Sequence, residues 1–153
     1  MARPTILLTN DDGIHSPWLA ALVKSMESLG DVFVYAPDRN QSGVGHGVSL
    51  HRPLRVQEIR PGWHSVDGTP TDCVMLAVRD LMRHRPAIVL SGINDGPNMG
   101  DDVTYSGTVA GAYEGMLLGL PSMAVSCVSH APQHIETAAF HARQLAEFVL
   151  DNG

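Results

Sequence analysis

Lysine is almost missing from this sequence, since only Lys24 among its ten basic residues is a lysine and the others are arginines. Receiver domains of response regulators and phosphatases of the haloacid dehalogenase type both combine acids after a first strand with a lysine placed later in the sheet. Lys24 instead falls in the predicted first helix, and the acids after the first strand do not form the Asp-x-Asp pattern of the phosphatases. The lysine content therefore excludes both classes.

The sequence also has few cysteines, no excess of positive charge and no long apolar run. Cys73 and Cys127 lie far apart in apolar segments, which indicates small buried side chains rather than a disulfide or a metal pair. The net charge of -6 argues against a surface for nucleic acid polymers. No apolar run is long enough to span a membrane, and no signal segment follows Met1. We therefore expect a cytoplasmic protein with no membrane partner.

Two glycine-rich nucleotide-binding motifs are absent as well. No GxxxxGK followed by Ser or Thr occurs, which excludes a P-loop NTPase. Gly43, Gly45 and Gly47 only loosely resemble a dinucleotide-binding fingerprint, because strand-like sequence rather than a helix follows them.

The order of apolar and polar segments predicts an α/β fold. Strand Thr5–Thr9, a helix capped by Ser16 and ended by Gly30, and strand Asp31–Ala36 form a β-α-β unit. Such a unit implies parallel strands with a right-handed crossover. The later predicted elements are strand-like sequence over 48–58, a strand over 63–66, a helix over 70–85, a strand over 87–90, a helix from 108, a strand over 122–127 and a helix over 136–150.

We interpret residues 48–67 as a β-hairpin excursion from the main sheet. With 153 residues and 44% apolar content, the chain has room for one sizeable core. The prediction is therefore a single domain, residues 1–153, with a Rossmann-like, doubly wound, mostly parallel sheet in a three-layer α/β fold.

The first strand runs directly into Asn10, Asp11, Asp12 and Gly13. Because an unpaired carboxylate is costly to bury, the strand must open there onto a solvated edge of the sheet. Adjacent carboxylates on a fixed strand end repel each other, and a hard divalent cation relieves that repulsion. An ordinary Asp-Gly turn that carries two acids is the competing interpretation.

Polar segments also leave two other predicted strands. Ser42 follows the second strand, and Asn94 follows strand 87–90. Since ligands of doubly wound sheets bind beyond the carboxyl ends of the strands, we expect these oxygens to join Asp11 and Asp12 at one edge. Carboxylate, hydroxyl and amide oxygens suit Mg²⁺, Mn²⁺ or Ca²⁺ better than zinc. His130 and His134 have no ligand spacing supported by a regular helix, and we expect them at the surface.

Ser106, Gly107 and Thr108 precede the third predicted helix. The start of a helix offers backbone N–H groups to an anion, although an ordinary Ser or Thr cap has the same sequence. Beside a cation site, phosphate binding is the better interpretation, because the cation offsets the repulsion between the acids and phosphate.

Four sequence blocks resemble the survival protein E (SurE) family, in the same order and spacing. These are ILLTNDDGI at 6–14, APDRNQSG at 36–43, GTPTDCV at 68–74, and SGINDGPNMG at 91–100 with YSGTV at 105–109. The resemblance implies a metal-dependent 5′/3′-nucleotidase that acts on nucleoside monophosphates and, more loosely, on other small phosphate esters as an acid phosphatase. It also implies a homodimer or homotetramer.

The resemblance further assigns roles to residues. It places one Mg²⁺ or Mn²⁺ on Asp11, Asp12, Ser42 and Asn94, and it places substrate phosphate on Asn98 and on Ser106, Gly107 and Thr108. Asp11 and Asp12 are then the catalytic carboxylates, and whether either acts as a general base or as a nucleophile stays open.

The sequence departs from the family in one respect, because SurE chains usually continue well past residue 153. We expect a C-terminal extension to be missing, and with it part of the pocket wall and of the oligomer contacts. The alternative function is an inactive module that binds metal and nucleotide without turnover.

Overall fold

A computed structural model of the chain describes residues 3–128 and 134–152. Its sheet has six strands in the order β3-β4-β2-β1-β5-β6. All neighbouring strands are parallel except β3 and β4, which pair antiparallel. The strands are β1 (Thr5–Thr9), β2 (Asp31–Pro37), β3 (Val56–Arg60), β4 (Trp63–Val66), β5 (Ile88–Asp95) and β6 (Ser122–Cys127).

Four α-helices cover the two faces of this sheet. They are α1 (Pro17–Met26), α2 (Pro70–Leu76), α3 (Gly107–Leu117) and α4 (Ile135–Asn152). Ile6 and Leu8 of β1 pack in the core with α1 and α4, whereas Leu7 packs in the second core, on the α2 side. Successive strand residues point to opposite faces, so one apolar strand supplies both cores. The predicted three-layer, mostly parallel α/β fold with a β-hairpin is confirmed.

The end of the first helix differs from its prediction. Ser16 caps α1 by accepting a hydrogen bond from the backbone N–H of Trp18 at 3.2 Å, as expected. However, α1 ends at Met26, four residues before Gly30. A Cβ at Gly30 would overlap the carbonyl oxygen of Pro4. Gly30 is therefore needed for close packing against the start of β1 and not as a left-handed helix cap.

The second helix also ends earlier than predicted. Thr69 and Asp72 form a reciprocal capping box at its start. After α2 the chain continues as a π-helical turn to Leu81, so the basic residues 83–85 follow the helical segment rather than end it. Strand-like sequence over 48–58 yields a strand only from Val56, because Pro53 precedes it without a ladder N–H.

Strand β5 is longer than predicted, and this difference positions the site. Residues 91–95 were expected as a polar segment after the strand, yet they remain in the strand, where Asn94 pairs with Ser126 and Asp95 with Cys127. The register shifts between Gly92 and Asn94. The shifted segment carries Asn94 to the carboxyl end of the sheet, beyond Ser91, which pairs with Thr9 of β1.

The remaining predictions on single residues are tested only in part. Cys73 is buried, Cys127 is half-buried, and both are free thiols. His134 is exposed, and His130 lies outside the described residues. Within 3–128 and 134–152, no helix combines the length and hydropathy required to cross a membrane.

Candidate active site

The acidic turn at the end of β1 is held in one conformation. Asn10 is fully buried and donates from Nδ2 to the carbonyl oxygen of Gly13 at 2.9 Å. Gly13 has a φ of 100°, and a Cβ there would lie 3.1 Å from the carbonyl carbon of Arg39. Both the backbone angle and the close approach require glycine. The turn therefore presents Asp11 and Asp12 in fixed positions at the edge of the sheet.

Asp12 lies in a site that disfavours its negative charge. The pKa of Asp12 is raised to about 6, chiefly by burial and then by the negative charge of Asp11, with a smaller contribution from the charge of Asp95. A hydrogen bond from the backbone of Asp95 opposes this rise. Oδ2 of Asp12 is buried and makes no hydrogen bond to any described residue. A carboxylate in this position needs a positive charge beside it.

Thr108 joins three elements at this edge. Its hydroxyl donates to Oδ1 of Asp11 at 2.5 Å. Oδ1 of Asn94 lies 3.3 Å from the same hydroxyl oxygen of Thr108. Nδ2 of Asn94 donates to the carbonyl oxygen of Gly96 at 2.9 Å, which turns Oδ1 of Asn94 toward Thr108. The structure thus brings Asp11, Asn94 and Thr108 together from β1, β5 and α3.

The start of α3 lies directly against Asp11. A Cβ at Gly107 would be 2.8 Å from Cβ of Asp11 and 3.0 Å from its Oδ2, so only glycine permits this approach. Ser106 caps the helix by accepting from the backbone N–H of Val109 at 3.1 Å. The first N–H groups of a helix have no partners within it, and its dipole favours negative charge there. The helix start therefore lies against the side chain of Asp11 and offers N–H groups to an anion.

Ser42 and Asn98 are connected to the site less directly. The backbone N–H of Gln41 donates to the carbonyl oxygen of Asp11 at 2.7 Å and so anchors the Ser42 loop beside the acidic turn. Ser42 itself is exposed. Asn98 is half-buried, and its Nδ2 donates to Oγ of Ser126 at 2.8 Å. The structure places both residues on chain segments at this edge of the sheet.

Several polar residues beneath the site were not among its predicted members. Thr9 and Ser91, paired across β1 and β5, are buried with hydroxyl oxygens that bond to no described residue, and Oδ1 of Asn10 has the same property. Asp95 acts on Asp12 through its charge and its backbone. Their position could be inferred only from the strand register, which apolar patterns do not fix at a polar strand end.

The donor set is suited to a hard divalent cation. Two carboxylates and an amide oxygen converge here, Oδ2 of Asp12 is buried without a partner, and the Ser42 loop is anchored alongside. Mg²⁺ and Mn²⁺ prefer such oxygen ligands and retain several waters. Among the described residues, no group of three or more His, Cys, Asp or Glu suits a metal. The fit therefore depends on the mixed set, which includes Ser42 and Asn94.

The fold and the site define a class of α/β protein in which oxygen donors suited to a cation and the start of a helix meet at the carboxyl edge of a mostly parallel sheet. The chain belongs to the SurE family, since the family model described as Survival protein SurE matches residues 6–153. This match confirms the resemblance indicated by the four sequence blocks.

Individual relatives agree with this assignment. A protein named 5′-nucleotidase SurE from Geobacter sp. (strain M21) is 54% identical over 149 residues, which cover 97% of this chain and 60% of the relative. A protein with the same name from Legionella pneumophila (strain Lens) is 53% identical over 140 residues, which cover 92% of this chain and 56% of the relative.

A solved structure shows the same fold. The crystal structure of the SurE protein from Aquifex aeolicus is similar to this chain with a TM-score of 0.93 and 49% identity, covering 98% of this chain and 61% of that one. The chain thus spans about 60% of the length of the curated relatives it matches.

Proposed function

We propose that this chain is a divalent-metal-dependent phosphohydrolase that releases phosphate from nucleoside monophosphates. It would act as a 5′/3′-nucleotidase and, on other small phosphate esters, as an acid phosphatase. The observation that carries the proposal is the buried, unpartnered Oδ2 of half-buried Asp12, next to Asp11, which itself lies directly against the start of α3. The names of the relatives, 5′-nucleotidase SurE, support the choice of substrate.

The proposed metal ligands are Asp11, Asp12, Ser42 and Asn94, for one Mg²⁺ or Mn²⁺. When bound, such a cation offsets charge on phosphoryl oxygens and lowers the pKa of a coordinated water. The backbone N–H groups of Gly107 and Thr108 would bind phosphoryl oxygens at the helix start, where their dipoles are already oriented.

Asn98 and Ser106 would complete the phosphate site in this proposal. Nδ2 of Asn98 donates a hydrogen bond to Oγ of Ser126, and this bond holds the amide plane in place. Ser106 uses an oxygen lone pair for the cap, so its hydroxyl hydrogen stays available to a phosphoryl oxygen. Both groups would orient the ester for in-line attack by water.

Asp11 and Asp12 differ in their freedom to accept a proton. Oδ1 of Asp11 already accepts the hydroxyl of Thr108, whereas Oδ2 of Asp12 accepts no hydrogen bond from a described residue. We therefore assign Asp12 the role of taking the proton from the attacking water, and Asp11 the role of a fixed ligand. Geometry within hydrogen-bond reach decides such a role before pKa does.

The decisive experiment measures phosphate release from AMP, GMP and p-nitrophenyl phosphate with Mn²⁺, with Mg²⁺ and with EDTA. Release that requires metal supports the proposal, and metal-independent release would contradict it. Because the chain spans about 60% of its relatives, calorimetric titration with AMP belongs beside the assay. Tight binding without turnover would identify the alternative, a module that binds metal and nucleotide.

The proposal extends to organisation in the cell. We propose that residues 1–153 form one domain. We also propose a cytoplasmic location and a homodimer or homotetramer, with neither nucleic acid polymers nor membranes as partners. Light scattering coupled to size-exclusion chromatography tests the oligomer, and a monomer at micromolar concentration would contradict that part.

A further inference from the structure

A cavity of about 290 Å³ lies beside the first turns of α3. Ser106, Val109 and Tyr113 contribute to its wall. Gly107 and Gly111 point instead toward β1 and β5, where they approach Asp11, Thr9 and Ser91. At 100° per residue these two sets lie on opposite sides of the helix. The cavity therefore lies on the outer side of α3, away from the sheet.

Two aromatic rings form a corner of this cavity. The rings of His46 and Tyr113 meet edge to face, with centroids 5.1 Å apart and planes at 88°. Nε2 of His46 lies 2.9 Å from Oε2 of Glu114, whose side chain is only 11% exposed. This contact to a buried acid fixes the imidazole ring in place. The corner is therefore formed in advance of any ligand.

The opposite wall is also held by the backbone. The N–H of Gly45 donates to the carbonyl oxygen of Tyr105 at 3.0 Å, which joins the loop of His46 to the segment that carries Val103. The side chain of Val103 lines the cavity together with Val109. The space is thus apolar on its sides and aromatic at one corner, as is typical of small-molecule sites.

Ser106 connects this cavity with the candidate active site. It lines the cavity, and the next residue, Gly107, lies against Asp11. An ester whose phosphate bound the start of α3 would have its alcohol portion near Ser106, which borders the cavity. We propose that the cavity holds the nucleoside portion of the substrate, with the base packed against the rings of His46 and Tyr113. This inference rests on the proposed function, and it adds the residues that would recognise the base.

The chemistry of the cavity favours a nucleobase over other alcohol groups. Any of the nucleobases can stack on an aromatic side chain, because every base has a π face. The volume of about 290 Å³ lies just below the usual range of ligand sites, which is roughly 300–1,000 Å³. A single nucleoside suits this size better than an oligonucleotide.

The test compares AMP with ribose 5-phosphate, which keeps the phosphate and the sugar but lacks the base. Tyr113→Ala removes one wall, and Val109→Phe fills the space. Each substitution should lower the ratio of kcat/KM for AMP to that for ribose 5-phosphate by about tenfold, the size of one base–aromatic stacking contact. Tyr105→Ala is the matched control, because Tyr105 is exposed nearby and its side chain does not line the cavity.

The outcomes separate this inference from the proposed function. If both esters are hydrolysed and the ratio is the same in all four proteins, the nucleoside cavity is wrong and the phosphohydrolase stands. If neither ester is hydrolysed, the proposed function fails, and calorimetric titration with adenosine decides on the cavity. Adenosine should then bind about tenfold more weakly to Tyr113→Ala than to Tyr105→Ala, and equal or absent binding would overturn the inference.

Discussion

Asp12 combines an electrostatic cost to stability with the role that we propose for it in the active site. Its carboxylate is partly buried, lies beside Asp11 and Asp95, and has one oxygen without a partner. These conditions destabilise the charged form when no cation is present. The same conditions increase the gain from binding a divalent cation, which supplies the missing positive charge. Replacing the Asp12 carboxylate by an amide should therefore raise stability measured without metal and lower activity measured with metal.

The first prediction follows for Asp12→Asn without metal. The pKa of Asp12 is about 6 in the native state and 3.8 as the ordinary value, so the native state holds the extra proton in this window. Its contribution to stability is complete below about pH 4 and is lost as pH rises through about 6. The amide has no such loss, and the variant should be more stable than wild type above pH 6 by about 1 kcal/mol, after allowance for solvent screening.

Urea unfolding in EDTA at pH 4, 5, 6 and 7 measures this difference. Asp151→Asn is the control, because it removes one negative charge from an exposed position at the end of α4. If the free energy of unfolding changed with pH in the same way for wild type and Asp12→Asn, the prediction would be contradicted. With Mn²⁺ present, Asp12→Asn should have lost phosphate release.

Thr108 gives the second prediction at the scale of the residue. Thr108→Val keeps the shape but removes the hydroxyl that donates to Asp11 and lies near Asn94. Loss of a hydrogen bond to a buried carboxylate costs about 1–3 kcal/mol in stability. Substitution of a residue that orients a metal ligand typically weakens metal affinity by about 10–100-fold. Titration with Mn²⁺ should show weaker binding to the valine variant, whereas Thr108→Ser should bind nearly as wild type. Equal affinities for valine and serine would contradict this role.

The sequence identified these residues to different degrees. Asp11 and Asp12 are adjacent in the chain and follow an apolar strand, so the local pattern indicates them directly. The bond between Thr108 and Asp11 joins residues 97 positions apart, and no local pattern encodes it. Thr108 was predicted as a phosphate contact, and its hydroxyl is directed to Asp11 in the structure. The phosphate roles of Asn98, Ser106 and Gly107 stay predictions.

At the scale of the element, α3 is defined by a row of glycines four residues apart. A Cβ at Gly107 would approach Asp11, one at Gly111 would lie 2.8 Å from Oγ of Ser91, and one at Gly115 would overlap Oγ of Ser122. Glycine inside a helix is unfavourable by up to about 1 kcal/mol relative to alanine. Here that cost is offset because the helix lies directly on β1, β5 and β6, which brings its start to Asp11.

The third prediction concerns Gly111→Ala. Its methyl group would also lie 2.8 Å from Cγ2 of Thr9, so α3 must move away from the sheet despite the better helix propensity of alanine. We expect a loss of about 1–3 kcal/mol in stability and weaker Mn²⁺ binding, because Thr108 moves with the helix. Met116→Ala, at an exposed position of the same helix, should change stability by less than about 0.5 kcal/mol. Urea unfolding of both variants provides the comparison, and a Gly111→Ala protein as stable as wild type would refute the prediction.

The bounds of helices and strands were predicted well where the spacing of apolar residues agrees with the capping residues. They were predicted less well where tertiary packing determines the bound. The start of α1 at Ser16 and the start of α2 at Thr69 were correct, since both caps are local. The end of α1 was wrong because Gly30 serves contact with Pro4. The length of β5 was wrong because Asn94 and Asp95 are polar yet pair with β6. Tertiary contacts override local preference at such positions.

At the scale of the whole molecule, the sheet supplies a site that its separate pieces lack. The proposed cation ligands come from the end of β1, from the loop after β2 and from β5, and the proposed phosphate-binding helix start comes from α3. Helix α3 packs beside α2 and on β5 and β6, and its start lies against Asp11 at the end of β1. Because the assembled site exists only in the folded chain, a cation that binds it must stabilise the native state relative to the unfolded state.

The fourth prediction is the size and origin of that stabilisation. Mn²⁺ at about 100 times its dissociation constant should raise the free energy of unfolding at pH 7 by about 2.7 kcal/mol, and excess EDTA should reverse the gain. Asp12→Asn should show little or no gain, although it is the more stable protein in EDTA. Asp151→Asn should gain as much as wild type, because its lost charge lies on an exposed part of α4. Equal stabilisation of Asp12→Asn and Asp151→Asn would place the cation elsewhere on the molecule and remove the basis for the proposed chemistry at Asp11 and Asp12.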